Sequence, residues 1–246
     1  MNLIFDFGNT KQKMAAMSLG AVIDIANKTK IETKDVDLFL KKYNPARAIV
    51  SSVVNEAEEI AFFLKKRKIS LLKFSAKTPI PIQNEYKTPE TLGGDRLACA
   101  VAAASLFPKN PILVLQMGTC ITSDFITESG VYKGGSISLG LEMRLKALHH
   151  FSAKLPLVAC KNIVSLTGTT TEESILTGIM HGITDEINGI TTRYLNEFDR
   201  LKIILTGGDA EMFKNKIKNE VVLIDNLVLT GLDIILNYNV ENEKNK

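Results

Sequence analysis

Cysteine is scarce in this chain, and the three present are scattered: Cys99, Cys120 and Cys160. They are odd in number and form no CxxC pair, which reads as reduced thiols in a cytoplasmic protein. Long apolar runs are absent too, and none approaches the roughly 20 residues that a membrane helix needs. The N-terminal apolar run stops at Asp6 after five residues, too soon for a secretory leader. Neither charge sign dominates: 30 Lys and Arg against 27 Asp and Glu leave a formal net charge of +3. That surplus is too small for a nucleic-acid binder, and no basic run is interleaved with aromatics. No GxxxxGK[ST] loop occurs, so this is not a Walker-type nucleotide site. No Cys or carboxylate pattern surrounds His149 and His150, which read as solvated or interface residues. Ser51 and Ser52 have no nearby His in the sequence to make a nucleophile of either. The expectation is a cytoplasmic protein with neither a nucleic-acid nor a membrane partner.

What is present is an ordinary globular composition, with 45% hydrophobic and 23% charged residues. A chain of this length buries roughly three-quarters of its unfolded surface and needs no staples. Length alone admits one large domain or two small ones.

Two glycine turns, each after an apolar strand, carry the most information. The first is Leu3-Ile4-Phe5-Asp6-Phe7-Gly8-Asn9-Thr10, with Lys13 three residues on. The second is Leu113-Val114-Leu115-Gln116-Met117-Gly118-Thr119. Each has an acidic or amide residue two places before Gly and small polar residues after it. Glycine lets backbone N–H groups approach phosphate oxygens, and the Asp6 carboxylate can hold Mg²⁺. Taken alone, the first is equally an ordinary tight turn. A third turn, Thr206-Gly207-Gly208-Asp209, also follows a strand, and its glycines can let an adenine or ribose approach the backbone. Gly93-Gly94-Asp95-Arg96 opens an alanine-rich helix. There Asp95 can act as a general base and Arg96 can pair with a substrate carboxylate. Read alone, that stretch is a helix start with an acidic first turn. Glu172 and Glu173 after Thr169–Thr171 read as an N-cap and first turn.

The pattern of apolar residues predicts strands at 2–7, 46–54, 71–74, 112–117, 121–126, 131–136, 201–206 and 221–224. A further strand is expected at 12–17 despite poor alternation. Helices are expected near 33–40 with Thr33 as N-cap, and at 56–67, 97–107, 141–151, 171–198, 210–217 and 227–238. The long helix has possible interruptions at Gly178, Gly182 or Gly189. Pro79, Pro81 and Pro89 mark a loop. The order repeats a meander followed by alternating helices and strands. It predicts an α/β protein of two lobes, 1–108 and 109–246.

Asp6-x-Gly8-Asn9-Thr10, Gly93-x-Asp95-Arg96, Gly118-Thr119-x-x-Thr122-x-Asp124 and Thr206-Gly207-Gly208 stand in an order that resembles the type III pantothenate kinases. The stretches Tyr132–Gly140, Leu145–Val158 and Thr169–Gly178 are similar to that family as well. The resemblance implies two ribonuclease H-like lobes of the actin-like ATPase and sugar kinase superfamily, with a nucleotide cleft between them. It implies transfer of phosphate from ATP to pantothenate, the first step of coenzyme A synthesis, by a homodimer with Mg²⁺. By position, it makes Asp6, Gly8, Asn9, Thr10, Lys13, Gly118, Thr119, Gly207 and Gly208 nucleotide or phosphate contacts. It makes Asp95 the proton acceptor, and Tyr86, Gly93, Gly94, Asp95, Arg96 and Thr171 pantothenate contacts, Thr171 across the dimer. Gln116 departs from the family, which usually has Asp there as a ligand for K⁺ or NH₄⁺; an amide implies a weaker cation site. Leu139 stands where the family often has Pro, and Met14–Met17 fits its usual strand poorly. Two other readings remain open at this point. One is a non-catalytic accessory or regulatory relative; the other is a superfamily kinase or phosphatase with a different substrate.

Overall fold

The computed structural model describes residues 1–8, 10–52, 57–161 and 165–244. Asn9 and the expected end of the 46–54 strand, beyond Ser52, lie outside them. In chain order the elements are β1 (Asn2–Phe7), β2 (Gln12–Ser18), β3 (Ala21–Lys28), α1 (Thr33–Tyr43), β4 (Arg47–Ser52), α2 (Ala57–Lys66), β5 (Ser70–Lys73) and β6 (Gln83–Asn84). After a 3-10 turn at Pro89–Thr91 come α3 (Gly94–Leu106), β7 (Ile112–Met117), β8 (Cys120–Ile126), β9 (Val131–Leu139) and α4 (Leu141–Phe151). The chain ends with α5 (Thr171–Glu197), β10 (Lys202–Thr206), α6 (Ala210–Lys214), β11 (Val222–Leu223) and α7 (Leu227–Lys244).

The chain forms two compact units. One comprises Met1–Leu106, Gly130–Tyr132 and Asn226–Lys246; the other comprises Phe107–Ser129 and Lys133–Asp225. The first unit holds a sheet ordered β3-β2-β1-β4-β5. Its first three strands are antiparallel, and β4 and β5 run parallel to β1. Side chains alternate across a strand, so β1 feeds two cores. Leu3, Phe5 and Phe7 pack with Val36 of α1 and with Ile60 and Leu64 of α2. Ile4 packs on the opposite face, with Ala98 and Val101 of α3 and Leu229, Leu232, Ile235 and Leu236 of α7. Each Val, Leu, Ile or Phe among them contributes about 1.5–3 kcal/mol on full burial.

The second unit repeats the plan. Its strands are ordered β11-β10-β7-β8-β9. β7 and β8 are antiparallel, and β10 and β11 run parallel in register with β7. Leu113, Leu115 and Met117 of β7 pack against Ile179, Ile183 and Ile187 of α5.

Several expectations are corrected. α7 does not belong with residues 109–225, because its apolar stripe covers the first sheet and α3. The helices meet so closely that a Cβ on Gly231 would lie 1.8 Å from the Ala98 carbonyl oxygen. Glu32 rather than Thr33 caps α1, through a capping box with Asp35. β3 has no counterpart among the expected strands; its apolar residues Val22, Ile23 and Ile25 are exposed. α5 runs unbroken for 27 residues. Nothing lies within 4 Å of a Cβ at Gly178 or Gly189, and one at Gly182 would meet the Arg144 guanidinium at 3.9 Å.

Candidate active site

In the first unit, Asp6 lies one residue before the end of β1, on the sheet face that α3 and α7 cover. The pairing register sets Lys13 opposite it on β2 and Ser51 beside it on β4. α3 enters at this end of the sheet. A Cβ on Gly94 would fall 2.7 Å from Ser51 Oγ, and one on Gly93 would fall 2.6 Å from Asp95 Oδ1. The Gly93-Gly94 pair therefore clears the space that brings the start of α3, and Asp95 with it, down onto the strand ends. Asp95 Oδ1 also accepts from Arg96 N at 2.9 Å. α7 starts here too. Lys13 Nζ donates to Asn226 Oδ1 at 3.0 Å, and Asn226 immediately precedes that helix.

This end of the sheet thus gathers two carboxylates, one ammonium and two helix N-termini. Burial pushes the Asp6 carboxyl up to about 6, and the negative charge of Asp95 adds to the rise; Lys13 works against both. A carboxylate so crowded by another favours an added cation, while helix N-termini favour an anion. The pair suits a metal–polyphosphate ligand. Gly8 follows β1, and its N–H donates to Lys11 O at 3.1 Å, so that donor is engaged in closing the turn. Thr10 is exposed on the same turn. Asn9 lies outside the described residues.

Arg96 is 5% exposed, and its guanidinium carbon lies 5.8 Å from the centre of the Tyr86 ring. Such a contact orients a planar cation without neutralising it. Tyr86 in turn leans on the fully buried Tyr132, with ring centres 6.2 Å apart. Tyr132 belongs to the first unit, where Asn84 of β6 pairs with it in parallel. Tyr132 was missed as a support of this site. Its only sequence signal was that it opens a stretch resembling the family.

In the second unit, the second and third glycine turns are neighbours, because β7 and β10 are parallel with Gln116 opposite Thr206. Gly207 has φ +103°, and a Cβ there would lie 2.1 Å from Met117 O. Only glycine satisfies both the left-handed backbone and that approach. Asp209 N completes the contact by donating to Met117 O at 3.1 Å. Gly208 faces open space, and Gly118 donates to Cys120 O at 3.0 Å. Thr119 is exposed on its turn, and its carbonyl accepts from Gly140 N at 3.0 Å. Gly140 was not among the sequence candidates. Pleating puts Gln116, Thr122, Asp124 and Thr206 on one sheet face, where Thr122 Oγ1 donates to the buried Asp124 carboxylate at 3.1 Å.

Thr171 is the first residue of α5. Thr170 caps that helix, its hydroxyl accepting from Glu173 N at 3.2 Å. A cavity of about 950 Å³ opens beside it, lined by Thr169, Thr171, Ile175, Gly178, Leu139 and Arg144 among others. Arg144 is held there by Glu186 and by the Leu139 carbonyl. Thr171 thus lies in the second unit, while Tyr86, Asp95 and Arg96 lie in the first.

The sequence profile of the type III pantothenate kinases matches residues 2–193. The chain belongs to that family. The type III pantothenate kinase of Phocaeicola vulgatus is 39% identical over 239 residues, covering 97% of this chain and 99% of its own. Among solved structures, a conserved Baf family protein from Campylobacter jejuni superimposes with a TM-score of 0.59 at 21% identity, over 97% of this chain and 99% of its own. The activator of 2-hydroxyisocaproyl-CoA dehydratase from Clostridium difficile does so at 0.55 and 12% identity, over 100% and 97%. At such identities these likenesses concern the fold alone. The fold of this pantothenate kinase family member is that of the actin-like ATPases and sugar kinases. Among its described residues, no helix is long and apolar enough to cross a membrane.

Proposed function

We propose that this protein transfers the γ-phosphoryl group of ATP to the primary hydroxyl of pantothenate, giving 4′-phosphopantothenate and ADP, the first step of coenzyme A synthesis. The observation that carries the reading is the convergence of Asp6, Lys13 and Asp95 at the start of α3, in a chain whose family is named for that reaction.

Phosphoryl transfer asks a protein mainly for positioning and charge neutralisation. Arg96, oriented by Tyr86, pairs with the pantothenate carboxylate and sets the far hydroxyl in reach of Asp95. As that oxygen bonds to the γ-phosphorus, the bond from phosphorus to the β,γ-bridging oxygen breaks. Asp95 takes the hydroxyl proton, and the ADP oxygens keep the electron pair. Lys13 balances the charge that gathers on the leaving phosphate. In the first unit Thr10 and Asn9 contact phosphate; in the second the turns at Gly118–Thr119 and Gly207–Gly208 supply nucleotide contacts of their own.

Among the described residues, no group of three or more His, Cys, Asp or Glu side chains could hold a metal by themselves. Mg²⁺ fits nonetheless, since it is commonly bound by one or two carboxylates with substrate phosphates and water. Asp6 would hold it, and its crowding by Asp95 is the observation that favours a cation there. The ion would neutralise phosphate charge. A K⁺ or NH₄⁺ ion beside Gln116 would meet a neutral amide oxygen, so its hold is weaker than a carboxylate would give.

The proposal includes a homodimer formed by the second unit. The isoleucines of α5 do not support it, because Ile175, Ile179, Ile183 and Ile187 are buried within their own unit. What supports it are the exposed Ile137, Leu139, Leu148, Phe151, Leu157 and Leu166 on β9, α4 and the segment after α4. The deciding experiment measures ADP release with and without pantothenate, and identifies the product by mass. Release that pantothenate does not stimulate would overturn the reading.

A further inference from the structure

Asn226 has an unusual setting. Its backbone is left-handed, with φ +55°, at the point where the chain passes from the second unit into the first. Asparagine is among the few residues that tolerate that conformation. Its carbonyl accepts from Leu229 N at 2.9 Å and from Thr230 N at 3.3 Å, so its backbone starts α7. An Asn at a helix start usually turns its side-chain oxygen onto a backbone N–H of the first turn. Here Oδ1 accepts instead from Lys13 Nζ, across a separation of 213 residues.

The register sets the Lys13 cation opposite Asp6. A lysine ammonium rides on four rotatable bonds and loses much rotamer freedom when fixed. Left to itself it would close onto the Asp6 carboxylate or swing into solvent. Held by Asn226, it stays within electrostatic reach of Asp6, and among the described residues that bond takes one of its three protons. The amide is neutral, so it orients the ammonium without cancelling its charge.

We infer that Asn226 is a positioning residue for phosphoryl transfer: its side-chain amide presents the Lys13 ammonium to the nucleotide phosphates. The inference rests on the reading of the first glycine turn as a phosphate site. It adds a residue from the far end of the chain that no motif marked. It also separates the two jobs of Asn226, since the backbone starts the helix and the side chain aims the lysine.

Asn226→Gly isolates the second job. Glycine keeps the left-handed backbone at no steric cost and removes only the amide. The test is a double-mutant cycle on the full chain with Lys13→Met, read by calorimetric titration of Mg²⁺ with a non-hydrolysable ATP analogue and by steady-state rates. Asn226→Gly is expected to weaken nucleotide affinity or slow turnover by about tenfold, the usual order for a hydrogen bond to a charged group. KM for pantothenate should not change, nor should the melting temperature. In the Lys13→Met background the same change should have no further effect. An equal loss in both backgrounds, or no loss in the Lys13 background, overturns the inference. A wild type that binds the analogue but leaves pantothenate unphosphorylated removes the acceptor assignment only, and the titration cycle still decides Asn226. A wild type that binds no nucleotide removes both readings.

Discussion

At the scale of single residues, Asp95 bears the most specific expectation. Asp95→Asn keeps the size of the side chain and its contact with Arg96 N but cannot take a proton. Turnover should fall by about 10²–10⁴-fold while nucleotide binding persists. A rate within about threefold of wild type in a stopped-time product assay would mean the hydroxyl needs no base from this side chain. Asp233 makes a separate expectation about stability. It is buried on α7, where it accepts from Asn2 at 2.7 Å and from Asn237 at 3.2 Å. Burial still outweighs those bonds and raises its carboxyl above the ordinary value. The folded protein then holds that proton more tightly than the unfolded chain does. Stability is lost as pH rises from about 3.9, the unfolded value, through the raised folded one. Asp233→Asn removes this loss. Urea unfolding should find the variant gaining on wild type as pH rises above about 4, and a constant difference would refute the sign. Asp6, Gly93, Gly94, Asp95 and Arg96 were legible as candidates because glycine within two places of a charged residue at an element boundary is a local pattern. Tyr132, Gly140 and Asn226 were not. Each acts through a partner at least 20 residues away in sequence, and nothing local distinguishes it from a packing or loop residue.

At the scale of elements, the α3–α7 contact is the sharpest. A glycine inside a helix normally costs about 1 kcal/mol against alanine, so Gly→Ala there usually stabilises. Gly231→Ala should do the reverse, because its Cβ would meet the Ala98 carbonyl oxygen at 1.8 Å and force the helices apart. The overpacking should cost about 1–3 kcal/mol by denaturant titration, and a gain in stability would show that the helices separate freely. Most strands and helices were legible because their periods are clear. β3 was not, since an edge strand with exposed Val22, Ile23 and Ile25 shows no buried alternation. α7 was legible as a helix but not as part of the first unit. An apolar stripe says that a helix is covered, not which sheet covers it. The α5 isoleucines illustrate the same limit: spaced at i and i+4, they form one stripe, and only the structure shows that their own sheet covers it.

At the scale of the whole molecule, self-association is the open quantity. Light scattering at micromolar concentration should give about twice the chain mass of 27.1 kDa. Phe151, 85% exposed, is the substitution of choice. Phe151→Asp should shift the mass to that of a single chain without changing the circular dichroism. A wild-type monomer would leave Thr171 without its role across the dimer. The two-lobed plan itself was legible in the recurrence of strand and glycine turn, and the structure repeats it in both sheets. The assignment of α7 to the first unit has a further consequence for synthesis on the ribosome. The sheet face built from Ile4, Ala15, Met17 and Ile49 emerges early, but half its cover is Leu229, Leu232, Ile235 and Leu236. Those residues leave the exit tunnel roughly 120 residues after α3 does, on the order of ten seconds at usual elongation speeds. For that interval the nascent first lobe carries a half-covered apolar surface, so a stalled or prematurely terminated chain is a natural client for chaperones and proteases.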